Sequence, residues 1–211
     1  PMKILIIGGG GHGKVVIDTL LKMGEDLIGI LVADENIGDQ QILGLPVLGD
    51  DGAIQNWPPE SVSLAMGIGS TDVSELRRNI FHKFQSKGYK FATLSHPSAV
   101  IGFEVELGEG VQIMAGVVVQ PGVVIGTNSI LNTACSVDHD CVIGAHTHIA
   151  PGATLSGGVI VGDETHIGAG ATIIQGVTIG NRCLISAGAT VIHNVEDGQK
   201  VPVNAIRPTA K

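Results

Sequence analysis

From Ile101 to Val191 every sixth residue is Ile, Leu or Val, without a break. Two places before each stands a small or β-branched residue, such as Ala99, Val117, Cys135, Thr147 or Ala171, and glycine often follows (Gly102, Gly108, Gly126, Gly144, Gly162, Gly168, Gly180). A period of six is neither the 3.6-residue helical repeat nor an open-sheet alternation. It predicts short strands joined by tight turns and wound into an all-β, left-handed parallel β-helix. Three hexads close one triangular coil, so positions about 18 residues apart stack at roughly the interstrand spacing, about 4.8 Å. Aromatic residues are only 3% of the 211-residue chain, so Val, Ile and Ala must fill this narrow interior.

Residues 2–95 follow a different grammar. Lys3–Ile7 reads as a strand, followed by a glycine turn and a helix from about Gly13 to Met23 that Gly24 stops. Leu27–Val32 and Val62–Ile68 read as further strands. Asp72 with Glu75 has the spacing of a capping box, ahead of a helix that buries Leu76, Ile80, Phe81 and Phe84 and ends at Gly88. Alternating strands and helices imply an α/β, half-Rossmann-like unit, too short for both halves of a dinucleotide fold. The chain thus divides into an α/β domain at 2–95 and a β-helix with its tail at 96–211. Residues 200–211, with Pro202 and Pro208, read as a cap over the open end of the stacked sheets.

The net charge is −8, and Arg182 is the one Lys or Arg between Phe91 and Gln199, which argues against nucleic acid as a partner. No stretch is apolar enough for a membrane span. Glycines follow Leu5–Ile7 at once, marking a buried strand and not a signal peptide. Cys135, Cys141 and Cys183 share the inward small-residue position of the repeat and read as packed thiols, suited to a reducing cytoplasm.

Gly8-Gly9-Gly10-Gly11-His12-Gly13 satisfies G-x-G-x-x-G between a strand and a helix, with Asp34 about 20 residues on. Such a turn lets the backbone approach a pyrophosphate at a helix N-terminus. NAD, a nucleotide-linked substrate and a merely packed turn all remain open. The single half-domain and the histidine inside the turn favour the nucleotide-linked substrate.

Among the histidines, His82, His96 and His193 read as bystanders, with His96 close enough to the domain junction to line a cleft. His148 and His166 stack in one column, which is compatible with surface repetition. His139 differs. Asp138 and Asp140 flank it, and Asn132 and Asp138 replace the glycine that usually follows the aliphatic residue. A neighbouring carboxylate raises a histidine's basicity and fixes its tautomer, as a general base near neutral pH requires. A zinc site from His139, His148 and His166 across a subunit boundary is the rival use, but it leaves the glycine turn without a purpose. No metal is expected.

Three motifs carry a family resemblance: GGGGHGKVV at 8–16, HPSAVIG at 96–102 and LNTACSVDHDCVIGAHTHIAPGA at 131–153. The chain resembles the hexapeptide-repeat sugar acetyltransferases of bacterial surface-glycan synthesis. Their members include N-acetyltransferases of nucleotide-linked 4-amino sugars, of the bacillosamine and perosamine types, and sialic-acid O-acetyltransferase-like proteins. The resemblance implies an acetyl-CoA-dependent homotrimer. It makes His139 the general base, with Asp140 raising its basicity and Asn132 lining the site. It assigns Gly10, Gly11, His12, Asp34, Gly69 and Ser70 to the nucleotide sugar, and His148, Gly157, Ala169 and Ala187 to acetyl-CoA. Ala169 and Ala187 also stack by spacing, leaving room for a pantetheine arm. The tail Val201-Pro202-Val203-Asn204 departs from the family's usual Gly-Val-Pro-Ala-Lys-like ending. Direct acetyl transfer to an amine is the favoured chemistry, with the Gly157 N–H as oxyanion donor. The runner-up is O-acetylation of a sialic-acid-type sugar. A non-catalytic, trimeric nucleotide-binding scaffold is the alternative of another class.

Overall fold

A computed structural model describes residues 2–33, 40–73 and 75–203. Asp34 and the tail from Asn204 onward lie outside the described residues. The N-terminal region is a sheet of β1 (Lys3–Ile7), β2 (Leu27–Leu31), β3 (Gln41–Ile42), β4 (Leu45–Gly49) and β5 (Val62–Met66), in the order β3-β4-β2-β1-β5. Its pairings are parallel apart from the β3–β4 hairpin. α1 (Gly11–Met23) follows β1, ends on Gly24 at φ 79, and buries Val16, Ile17 and Leu20.

Two features of this region differ from the sequence expectation. The β3–β4 hairpin was not foreseen. Its turn places Leu43 at φ 51 and Gly44 at φ 82, and a leucine in the left-handed region is a weak turn signal. The capping box does not form. α2 (Leu76–Gln85) starts after Glu75, which makes no side-chain cap bond. Phe81 and Phe84 are buried as expected, whereas Leu76 is exposed and Arg77 is buried in its stead. The stacked Phe81–Phe91 rings, 4.3 Å apart, set which face of α2 turns inward.

The repeat winds into a parallel β-solenoid with three faces, sheets of seven, six and five two-residue strands. The first face runs from Leu94–Ser95 to Lys200–Val201, the second from Val100–Ile101 to Thr190–Val191, the third from Glu106–Leu107 to Thr178–Ile179. Each strand pairs in parallel with its counterpart one coil on, as Ile130–Leu131 does with His148–Ile149. Lys200–Val201 pairs with Leu184–Ile185, so the start of the tail extends the first face.

The glycines after the aliphatic residues act differently from simple turn formers. Gly126 is not among the positive-φ residues; a Cβ there would lie 2.5 Å from the Ala145 backbone nitrogen. These glycines permit coil-on-coil stacking, and the left-handed turn conformation falls later in each corner, for example on Gly158 or Asp140. The core is aliphatic, and its small polar residues are satisfied: Ser129, Thr147 and Thr165 donate to the carbonyls of Gly144, Gly162 and Gly180 at 2.8, 2.9 and 2.7 Å. All three cysteines are free and buried; burial pushes the Cys135 thiol up to about 12. One continuous core joins Val16, Ile17 and Leu20 of α1 to Leu94, Val111 and Met114 of the solenoid, which seats the α/β domain against the first face.

Candidate active site

Where the α/β domain meets the corner between the first and second faces lies a cleft of about 740 Å³. Its walls include Gly11, His12, Gly69, Ser70, Asn132, His148 and Ala169, all expected site residues. The N-terminus of α1 opens here. Its cap is Gly10, with no side-chain cap bond and no acidic residue in the first turn, so free N–H groups and the positive end of the helix face an incoming anion. Gly8, Gly13 and Gly67 are required by packing, since a Cβ on Gly13 or Gly67 would lie 2.4 or 2.1 Å from the Gly8 carbonyl oxygen. Gly10 and Gly11 differ: a Cβ at either would meet no heavy atom within 4 Å, so their bareness leaves open space.

Two buried histidines line the cleft. His12 donates through Nε2 to Gln112 Oε1 at 2.8 Å, and Gln112 Nε2 donates to the Met66 carbonyl at 2.7 Å. His148 donates through Nδ1 to the Ser70 carbonyl at 2.8 Å and accepts at Nε2 from Asn132 Nδ2 at 3.0 Å. Burial, with lesser help from Arg77, lowers His12 to about 4. Burial and the neighbouring His166 lower His148 to about 3. Both are neutral at neutral pH. Each has its tautomer fixed by the bond it makes across the domain boundary.

Arg77 clamps the loop that follows β5. Its guanidinium donates to the carbonyls of Met66, Ile68 and Asn128, and burial lowers its pKa to about 9. This loop carries Gly69 and Ser70 into the cleft. At the corner between the third and first faces, Arg78 pairs with Glu164, and His146 lies edge-on to His82 with ring centres 5.0 Å apart. His96 is buried and accepts from Ser98 Oγ at 2.7 Å, while His193 is exposed.

His139 stands on a different corner, between the second and third faces. Its Nδ1 donates to Asp140 Oδ2 at 2.8 Å, and that bond is the largest cause of its raised pKa. Asp138 Oδ1 accepts from the His139 backbone N–H at 2.8 Å. The imidazole lies over Gly157, where an added Cβ would be 2.5 Å from Nε2. With Nδ1 protonated, Nε2 is the free, basic nitrogen, and the ring is more than half exposed. Ala187 is exposed on the Ala169 corner, one coil further on. Within the chain, therefore, His139, Asp140 and Gly157 gather on one edge. Asn132, His148, Ala169 and Ala187 gather on another, beside Gly11, His12, Gly69 and Ser70. Among the described residues, no three His, Cys, Asp or Glu side chains are arranged to hold a metal ion.

Residues 3–84 match the PglD N-terminal domain family, and residues 104–135 and 158–193 match the bacterial transferase hexapeptide family (six repeats). A variant of perosamine N-acetyltransferase from Caulobacter crescentus, solved with CoA and GDP-perosamine, is 41% identical over 92% of this chain and 90% of that one, with a TM-score of 0.86. The acetyltransferase domain of PglB from Neisseria gonorrhoeae, solved with acetyl coenzyme A, is 35% identical over 94% of each chain, with a TM-score of 0.85. WeeI from Acinetobacter baumannii is 26% identical over 95% of this chain and 96% of that one, with a TM-score of 0.84. The chain belongs to the hexapeptide-repeat sugar acetyltransferase family. As a member of that family it is an acetyltransferase; the Caulobacter crescentus and Neisseria gonorrhoeae relatives were solved with CoA and with acetyl coenzyme A.

This acetyltransferase has room for such a donor. Pro151, Ala169 and Ala187 form an exposed column of small side chains, and a Cβ on Gly152, Gly170 or Gly188 would meet no heavy atom within 4 Å. Reading the sequence missed Arg77 and Gln112, and it placed His166 only in a stacked surface column or a rival zinc set, whereas His166 is buried against the cleft. Arg77 followed from no motif. Gln112 and His166 are outward positions on the first face, and nothing local marks that face as the covered one.

Proposed function

We propose that the enzyme N-acetylates a nucleotide-linked 4-amino sugar, with His139 as general base and without an acyl-enzyme intermediate. The observation that carries this reading is the His139–Asp140 pair lying over Gly157. The carboxylate fixes the tautomer and keeps Nε2 basic, and the exposed ring can meet an incoming ammonium group and accept its proton. Acetyl-CoA supplies the activated acyl thioester, held along Ala169 and Ala187 with His148 at the cleft wall. The Gly157 N–H has no hydrogen-bond partner among the described residues, so it is available to the charge that develops on the acyl oxygen. Gly10, Gly11, His12, Gly69 and Ser70 receive the nucleotide sugar. Asp34 is assigned to it by family resemblance alone.

A complete site needs His139 from one protomer and the cleft from another, and this supports a homotrimer. Val124, Val142 and Ile160 form an exposed aliphatic column on the third face, 38, 43 and 46% exposed in the lone chain, as an interface would require. Three free buried thiols fit a cytoplasmic setting, and no described helix is long and apolar enough to cross a membrane. The two-domain division near residue 95 is retained, with Leu94–Ser95 already part of the first face.

The test is thiol release from acetyl-CoA against a panel of nucleotide-linked 4-amino sugars. The wild type should turn over at least one of them, and His139→Ala should lose about 10²–10⁴-fold. Full turnover by His139→Ala removes the base assignment. Activity confined to free sialic acid removes N-acetylation of a nucleotide sugar.

A further inference from the structure

A second cavity, of about 300 Å³, lies on the other side of the glycine turn. Ile7, Leu31, Val32, Ile68 and Ile80 give it aliphatic walls, and Gly8 to Gly10 line it too. Gly10 bounds this cavity and Gly11 bounds the large cleft, so one peptide link separates the two chambers. A nucleotide whose phosphates rest on the bare α1 N-terminus can send its sugar into the cleft and its base into this cavity, whose aliphatic walls suit the face of a ring.

Among the described residues lining it, Asp51 is the one ionisable side chain. Its place is set by the short 3-10 helix Asp51–Asn56, whose cap Asp50 accepts from the Gly52 N–H at 2.8 Å. Asp51 Oδ2 accepts from Lys83 Nζ at 2.7 Å, and Lys83 stands one turn beyond Ile80 on α2. Asp51 thus brings a carboxylate to an otherwise apolar lining, with the Lys83 ammonium bound to it from just outside that lining.

Resting on the nucleotide-sugar reading above, we infer that Asp51 reads the edge of the base and selects guanine. A carboxylate only accepts hydrogen bonds. The guanine edge offers two adjacent donors, N1–H and N2–H₂, which a carboxylate takes as a pair, and then the O6 acceptor, which suits the Lys83 ammonium. Uracil and thymine present one donor between two carbonyl oxygens, so a carboxylate meets one bond and two repulsions. Cytosine and adenine pair one donor with an acceptor nitrogen.

Titration calorimetry of the full chain with GDP, UDP and dTDP tests this. GDP should bind more tightly than the other two, on the order of 10²-fold from charge-assisted bonds. Asp51→Asn should lose that preference, because its amide N–H₂ faces the guanine amino group, while UDP binding holds or improves. Lys83→Met should weaken GDP binding by a smaller factor. Acetyl-CoA binding by each variant reports that the fold is intact; if Asp51→Asn fails to fold, the wild-type panel alone decides. Equal affinity for the three nucleotides, or a preference for UDP or dTDP, overturns base selection and leaves the acetyltransfer reading standing. Equal loss of all nucleotides in a folded Asp51→Asn also overturns it, by making the role structural. If the wild type binds none of the three, the nucleotide-sugar reading itself fails, and base selection with it.

Discussion

Gly157→Ala tests the geometry of the base without touching its chemistry. The glycine does not have positive φ, so alanine imposes no backbone strain, and the Gly157 N–H is retained. The new Cβ would lie 2.5 Å from His139 Nε2, 2.7 Å from Cε1 and 3.1 Å from Cδ2. Ordinary carbon contacts are about 3.5–4.0 Å, so the ring must move by about 1 Å or rotate off its perch. The imidazole is 55% exposed and can swing into solvent. The stability cost is therefore small, within about 0.5 kcal/mol for such a surface change. Catalysis is less forgiving, and a misplacement of about 1 Å costs about 10²-fold. Initial rates of thiol release should fall about 10²-fold while the thermal midpoint barely moves. In a His139→Ala background the same Gly157→Ala change should have almost no further effect, because the displaced ring is already gone. Full turnover in the single variant, or an undiminished loss in the double variant, refutes the placement of the base over Gly157.

Asp140→Asn removes the largest cause of the raised His139 pKa. A general base works deprotonated, so the acid limb of kcat/KM should shift to lower pH while the plateau falls; an unmoved limb would show that another group is titrating. Arg77→Met strips the donor from the Met66, Ile68 and Asn128 carbonyls and should destabilise the fold by about 3 kcal/mol in urea unfolding. Where folded, it should raise KM for the nucleotide sugar and leave KM for acetyl-CoA unchanged. His12 is lowered to about 4 and His148 to about 3, against about 6.5 in the unfolded chain. Their stability contribution is complete above pH 6.5 and is lost as the pH falls towards 4, by up to about 1.4 kcal/mol per histidine per pH unit. Urea unfolding between pH 7 and pH 5 measures this slope, and His148→Gln should reduce it.

The solenoid was legible because its register is written into the aliphatic spacing: one residue of slip would turn Ile143 or Ile167 outward. The three cysteines were legible for the same reason, since the hexad position they share points inward. The β3–β4 hairpin was hidden by a Leu43-Gly44 turn with no polar turn residue. The start of α2 was hidden because packing of Phe81 and Phe84 outweighs an Asp72 cap worth about 1 kcal/mol. The motif reading placed His139 and Asp140 together and assigned Gly11, His12 and Ser70 to the sugar and His148 to acetyl-CoA; the structure lines one cleft with these four. The resemblance put His139 and the acetyl-CoA contacts on different subunits or faces, without saying which prism edges. That separation needs the hexad count from Asn132 to His139 to be read as a turn around the prism: seven residues carry the chain past one corner to the next.

Three of the site's histidines show how environment assigns chemistry to one residue type. His12 and His148 are enclosed by the domain boundary, and desolvation outweighs every partner they have, so neither can hold a proton near neutral pH. Each spends one nitrogen on the opposite domain, His12 on Gln112 and His148 on Ser70, which makes them struts that set the width of the cleft. His139 is solvated and spends its Nδ1–H on a carboxylate, so it retains a free nitrogen of enhanced basicity. A buried imidazole lowered to about 3 or 4 would sit deprotonated yet be too weak to draw a proton from an ammonium group. The assignment of the base therefore follows from burial as much as from the flanking acids. An acid limb of kcat/KM that lies near pH 4 in the wild type and survives Asp140→Asn unchanged would transfer the role to His12 or His148.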